Sequence, residues 1–223
     1  MDGAGIIERM AWRKLTRRLV QLYIGLLAYG LSAALQVRAG LGLDPWDVLH
    51  QGISRRSGLA IGTIVIIVGA VVLLGWIPLR QWPGLGTVSN AVLVGVSMNL
   101  SLMWLPHPHA MLARVGSLAV AIVLCGVATG MYIGAHFGPG PRDGLMTGLA
   151  RTTGRSIRLV RTGIELTVLV VGWILGGSVG VGTVAFALAI GPLAQVFLPI
   201  FDVPVDAKTS RFSRLRRQPA PAM

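Results

Sequence analysis

Between Leu19 and Phe201 the chain carries only four acidic residues, Asp44, Asp47, Asp143 and Glu165, set among long runs without any charge. A soluble domain carries about a quarter charged residues; here 13% are charged and 53% hydrophobic, which excludes an ordinary water-soluble fold. A helix needs roughly 20 apolar residues to cross about 30 Å of hydrocarbon. By that measure the sequence predicts six spans: Leu19 to Val37, Leu59 to Leu79, Gly86 to Leu105, Val115 to Ala135, Ile157 to Gly177 with charged exceptions, and Val181 to Phe201. The first run has a basic front like a signal peptide, but it is longer than a signal core and reads as a retained helix.

The chain also repeats itself at a constant offset of 96 residues. GLDPWDVLHQGISRRSG, ending at Gly58, lies over GPGPRDGLMTGLARTTG, ending at Gly154. Pro45 matches Pro141, Asp47 matches Asp143, Arg55 matches Arg151, and Gly84-Leu85-Gly86-Thr87 matches Gly180-Val181-Gly182-Thr183. Apolar low complexity does not align Pro, Asp, Arg and Thr in one ungapped register, so this is a duplication. The organisation read from it is a basic segment 1–18, a first membrane repeat 19–105, a second 113–201 and a basic tail 202–223.

Each unit reads as a span, a Gly/Pro-rich break, a short helix and two further spans. Asp44 is a good N-cap, Pro45 suits the first helical position and Gly58 can end the helix; Pro141 and Gly154 play the same parts in the second copy, where Gly140 replaces the capping Asp. Stretches this short do not cross, so each is re-entrant or interfacial. Three spans per unit is an odd number, which predicts an all-α membrane protein made of two inverted repeats. Trp76, Trp82, Trp104 and Trp173 fall toward span ends, as an interfacial belt does. Glycine ridges at 126, 130, 134 and at 172, 176, 180 predict close helix contacts, and Pro192 a kink.

The net charge is +12, but it gathers at the ends and in one central loop rather than along a soluble face, which argues against nucleic acid. Arg9, Arg13, Lys14, Arg17 and Arg18 precede the first span; Lys208, Arg211, Arg214, Arg216 and Arg217 follow the last. The second motif loop is also richer in arginine than the first. The expectation is a bacterial plasma-membrane protein with both termini cytoplasmic, facing anionic lipid headgroups. A homo-oligomer or a membrane partner protein is compatible with the same features.

Glu165 is the sharpest candidate for chemistry. Counting from Ser156 it falls near the bilayer centre, with Arg161 and Arg158 on the same helical face. An intramembrane acid is either a substrate or proton site or one half of a buried ion pair. The equivalent positions in the first copy are Gly62, Val65 and Gly69, so the stripe belongs to one half only. Asp47 and Asp143 sit at the third position of the short helices, where a carboxylate can cap exposed N–H groups or mark two half-helix starts aimed at a shared site. Helix starts with Arg142 beside one of them suit an anion. His50, Gln51 and Asn90 supplement this set.

His107-Pro108-His109 has no acid or cysteine nearby, so no metal is expected, and the lone Cys125 forms no disulfide framework. Gly138-Pro139-Gly140-Pro141 lacks the Lys-Ser/Thr of a phosphate loop. No cofactor and no enzyme activity are expected. Across the two Gly/Pro motifs, the Gly-x-Gly-Thr pairs and the Arg161-x-x-x-Glu165 stripe, the chain resembles the YczE/YitT-type bacterial membrane proteins. The resemblance implies an inner-membrane location and brings no activity or site residue with it. The expectation is therefore a secondary transporter or permease for a small, anionic solute, with a non-transporting assembly or regulatory partner as the alternative.

Overall fold

Residues 3–204 are described by the computed structural model, with side chains from residue 14 onward. Among them are eight helices: α1 (Gly3–Ala39), α2 (Pro45–Ser57), α3 (Ile61–Leu74), α4 (Leu85–Trp104), α5 (Met111–Gly134), α6 (Pro141–Thr153), α7 (Ile157–Ile174) and α8 (Val181–Phe201). The starts of α2, α3 and α4 recur at α6, α7 and α8 with the same 96-residue offset. Backbone geometry recurs too. Gly42 and Gly138 have φ of 113° and 116°, and the helix-ending Gly58 and Gly154 have 73° and 67°, in the left-handed region that glycine enters most easily. Asp44 caps α2 as its sequence position suggests, accepting from the backbone N–H of Trp46 and Asp47.

Among the described residues four helices are long and apolar enough to cross a membrane: Lys14–Ala39 within α1, then α4, α5 and α8; a bent pair, α2 with α3 at 114°, brings the number to five. Of the six continuous spans expected from sequence, four are single helices of spanning length and a fifth is the bent pair. The third helix of each repeat falls short for a different reason. α3 has 14 residues, about 21 Å at about 1.5 Å each, and the chain turns at residues 75–80 instead of running to Leu79. α7 has 18 residues, three of them charged.

α1 is the hub, with half of its most apolar stretch buried, whereas only 6% of that of α8 is buried. α1 runs antiparallel to α5. Arg18, near the start of the spanning part of α1, donates to the carbonyls of Ala135 and His136 just beyond α5, at 2.8 and 3.1 Å. Its repeat mate Arg114 donates to Ala39 and Gly40 at the end of α1, at 2.8 and 2.7 Å. These carbonyls are the ones a helix C-terminus leaves unpaired, so each half ties off the other half's first helix. A second reciprocal pair joins the glycine turns: Gly86 donates to Phe137 and Gly182 to Leu41.

α1 and α4 run in the same direction. Gly30 abuts Val94, Ser97 and Met98, and further along Arg38 bonds the Leu102 carbonyl and His107. α5 and α8 repeat this. Gly126, Gly130 and Gly134 meet Leu193, Phe197 and Phe201 in order, so this expected ridge is an intramolecular contact. In lipid there is little hydrophobic force between helices, and close approach with small polar bridges holds them. Ser32 donating to Ala121 and Ser97 donating to Leu27 are such bridges.

Two expectations of detail are corrected. Trp76 is 1% exposed, packed on Gly144 with its indole N–H donating to Pro141, so it is no belt residue; Trp82, Trp104 and Trp173 are the exposed ones. Gly176 is a turn glycine (φ 97°) with open space beside it, not part of a ridge; Gly172 and Gly180 do touch other elements. α8 continues through Pro192 and Pro199 as a single helix. The basic tail from Lys208 to Arg217 lies outside the described residues.

Candidate functional site

The starts of the two short helices meet in the interior, and the sequence explains why. Each begins with a Gly-containing turn followed by Pro, which stops the preceding helix and sets the direction of the next. Position 46 of the first copy is Trp and position 142 of the second is Arg, and the two side chains stack, with the Arg142 guanidinium 5.0 Å from the Trp46 ring centre. The same guanidinium stands 3.6 Å from a carboxylate oxygen of Asp44 and 3.6 Å from one of Asp47. That is outside the range of a tight hydrogen bond. Asp44 and Asp47 are buried, at 4% and 2% exposure.

The remaining polar groups extend this cluster. His50, buried one turn after Asp47, bonds its carboxylate through Nδ1 at 2.9 Å. The Tyr132 hydroxyl donates to Asp143 at 2.7 Å, and Tyr29 meets Tyr132 edge-on. Burying this many charges is expensive unless they are paired or hydrated. Here the balance is uneven: two carboxylates, Asp44 and Asp47, flank one guanidinium, and Asp143 nearby is held by Tyr132.

Two cavities touch the cluster. The smaller, about 70 Å³, lies against α3 and α4, with His50, Val65, Gly69 and Asn90 in its wall. The larger, about 340 Å³, lies between α7 and α8, with Asp44, Trp46, Arg161, Glu165 and Gly191 in its wall. Tyr29, Tyr132, Arg142 and Asp143 line both. Several of the other lining positions are repeat mates: Val65 and Gly69 of the first correspond to Arg161 and Glu165 of the second, and Asn90 and Val94 to Phe186 and Ile190.

Of the residues singled out in sequence, Asp47, His50, Asn90, Arg142 and Asp143 come together around the cluster. Asp47 does not cap its own helix, because Asp44 occupies those N–H groups. Arg161 and Glu165 form a 2.8 Å pair, part exposed, on the far wall of the larger cavity. Arg158 is exposed and lines neither cavity. Gln51 is occupied elsewhere, accepting from the Ser178 N–H at 2.7 Å. The charged stripe is thus one wall, while the cluster draws on both halves.

Sequence reasoning passed over Tyr29, Tyr132 and Trp46, and took Asp44 as a cap alone. All three of the chain's tyrosines fall inside long apolar helices, which marks them as candidates for a buried phenol with a polar partner, and Tyr29 and Tyr132 are the two that the fold turns inward.

A family model described as a family of unknown function (DUF6198) matches residues 16–199. An uncharacterised protein of Haemophilus influenzae is 37% identical over 201 residues, covering 87% of this chain and 92% of that one. The uncharacterised membrane protein YczE of Bacillus subtilis is 36% identical over 176 residues, covering 78% and 81%. YyaS of the same organism is 28% identical over 183 residues, covering 80% and 91%. No solved structure matches the chain. With apolar spanning helices, a model match along most of its length and relatives of this kind, the chain belongs to the DUF6198 family of multi-pass bacterial membrane proteins, together with YczE and YyaS.

Proposed function

We propose that this protein is a secondary transporter of a small solute, built as two inverted repeats that each cross the membrane three times. The antiparallel α1 and α5 support the inversion. Because α1 and α4 are parallel spanning helices, the segment between them has to return the chain across the bilayer, and α6 with α7 does the same between α5 and α8. The net basic loops and ends support a cytoplasmic side for both termini.

The observation that carries the transport reading is the pair of cavities at repeat-equivalent positions, meeting on one polar wall drawn from both halves. A transporter needs a central site reached from alternate sides, and broken helices at a repeat interface are where such sites form. The surplus of carboxylates supports a positively charged solute over the anion expected from the helix starts alone, since Arg142 is already matched by Asp44 and Asp47.

Thiol labelling tests this. In a Cys125→Ala background, Val68→Cys lines the smaller cavity and Ala194→Cys the larger. In oriented vesicles the two cysteines react with a membrane-impermeant maleimide from opposite sides. Labelling of both from one side would sink the reading.

A further inference from the structure

We propose that the polar wall takes a small organic cation, a guanidinium or primary ammonium compound carrying a hydrogen-bond acceptor beside its charge, in the place that the Arg142 guanidinium now fills. The passage of this solute across the membrane rests on the transporter reading above; its binding does not.

Three observations converge. Asp44 and Asp47 flank the single Arg142 guanidinium, Asp44 and Asp143 line the larger cavity, and Arg161 and Glu165 pair with each other, so carboxyl groups outnumber the remaining cations around that cavity. Carboxylates in such surroundings require positive charge close by. Arg142 is held as a ligand would be, between two carboxylates at 3.6 Å and over an indole face at 5.0 Å, which is how proteins recognise guanidinium and ammonium ions. Finally, Trp46 is 5% exposed, lines the larger cavity, and has an indole N–H with no hydrogen-bond partner. A buried donor of this kind calls for an acceptor. The cavity's volume of about 340 Å³ admits a molecule of this size.

The experiment is a thermal-unfolding titration of the purified full-length protein in detergent with methylguanidinium, glycinamide and acetate at matched ionic strength. Glycinamide joins an ammonium to a carbonyl acceptor. The two cations are expected to raise the melting temperature and acetate to leave it unchanged. Arg142→Gln, which removes the competing internal cation, is expected to tighten methylguanidinium about tenfold, and Asp143→Asn to weaken it about tenfold. Trp46→Phe should weaken glycinamide and spare methylguanidinium. Stabilisation by acetate, no response to either cation, or weaker cation binding in Arg142→Gln overturns the proposal; if that variant does not fold, unchanged binding in Asp143→Asn overturns it. Flux of labelled methylguanidinium in proteoliposomes separates the two readings. Cation binding without flux removes the transporter and leaves the site, whereas flux of acetate without cation binding does the reverse.

Discussion

α3 and α7 occupy the same place in their repeats, yet they lean on different neighbours. α3 lies along α4, its own repeat's last helix, while α7 makes almost no contact with α8 and lies along α2 of the other half. The difference traces to four pairs of equivalent positions. Gly62 and Gly95 let α3 and α4 touch backbone to backbone; at the first of these positions α7 carries Arg158, and Gly191, mate of Gly95, faces open space. Ala60 provides no side-chain cap, so α3 borrows Asn99 of α4, which accepts from the Gly62 N–H at 2.8 Å; α7 has Ser156 as its own cap. At the other end, Gly172 of α7 admits the backbone of α2, where its mate is the bulky Trp76. Two halves with the same order of helix starts differ in packing through a few side chains, and the larger cavity lies where they differ.

The comparison can be broken most directly at the glycines. Gly95→Leu forces a side chain into the backbone of α3 and is expected to cost about 3 kcal/mol, read as a lowered midpoint of unfolding in detergent. Gly191→Leu, its mate, should stay within about 0.5 kcal/mol. Equal effects would mean that the two seams are alike. Asn99→Ala comes next: it leaves a first-turn N–H of α3 unpaired and is expected to cost about 1.5 kcal/mol. Arg18→Ala and Arg114→Ala should each cost about 1 kcal/mol, and by nearly the same amount, since their bonds are repeat mates. A large inequality would show that the two halves are not tied off alike. Smallest is Arg161→Ala, where a part-exposed pair one turn apart contributes less than about 0.5 kcal/mol to stability.

Much of this plan was legible in the residues. The duplication showed because Pro45, Asp47, Arg55 and Thr87 recur in one register, and such residue types do not repeat by chance in apolar sequence. The ends of α2 and α6 showed because caps act locally: Asp44, Pro45 and Gly58 dictate their own backbone. What did not show depends on neighbours distant in the chain. The span ending at Leu79 was overextended because Trp76 is apolar, and nothing local reveals that it turns back onto Gly144. Glu165 stands out in sequence by its depth and its arginine stripe, whereas the buried cluster forms where Trp46 and Arg142, different residues at one repeat position, come face to face. Alignment of the halves pointed to what they share, and the site is made where they differ.

The reciprocal clasp of Arg18 and Arg114 bears on how such a chain is made. When the first half leaves the ribosome, the end of α1 lacks the arginine that caps its carbonyls, and it gains that partner only when α5 has been made and docked. Biogenesis of this fold is therefore completed late, and either half produced alone would enter the membrane with an unsealed helix end, a target for quality-control proteases.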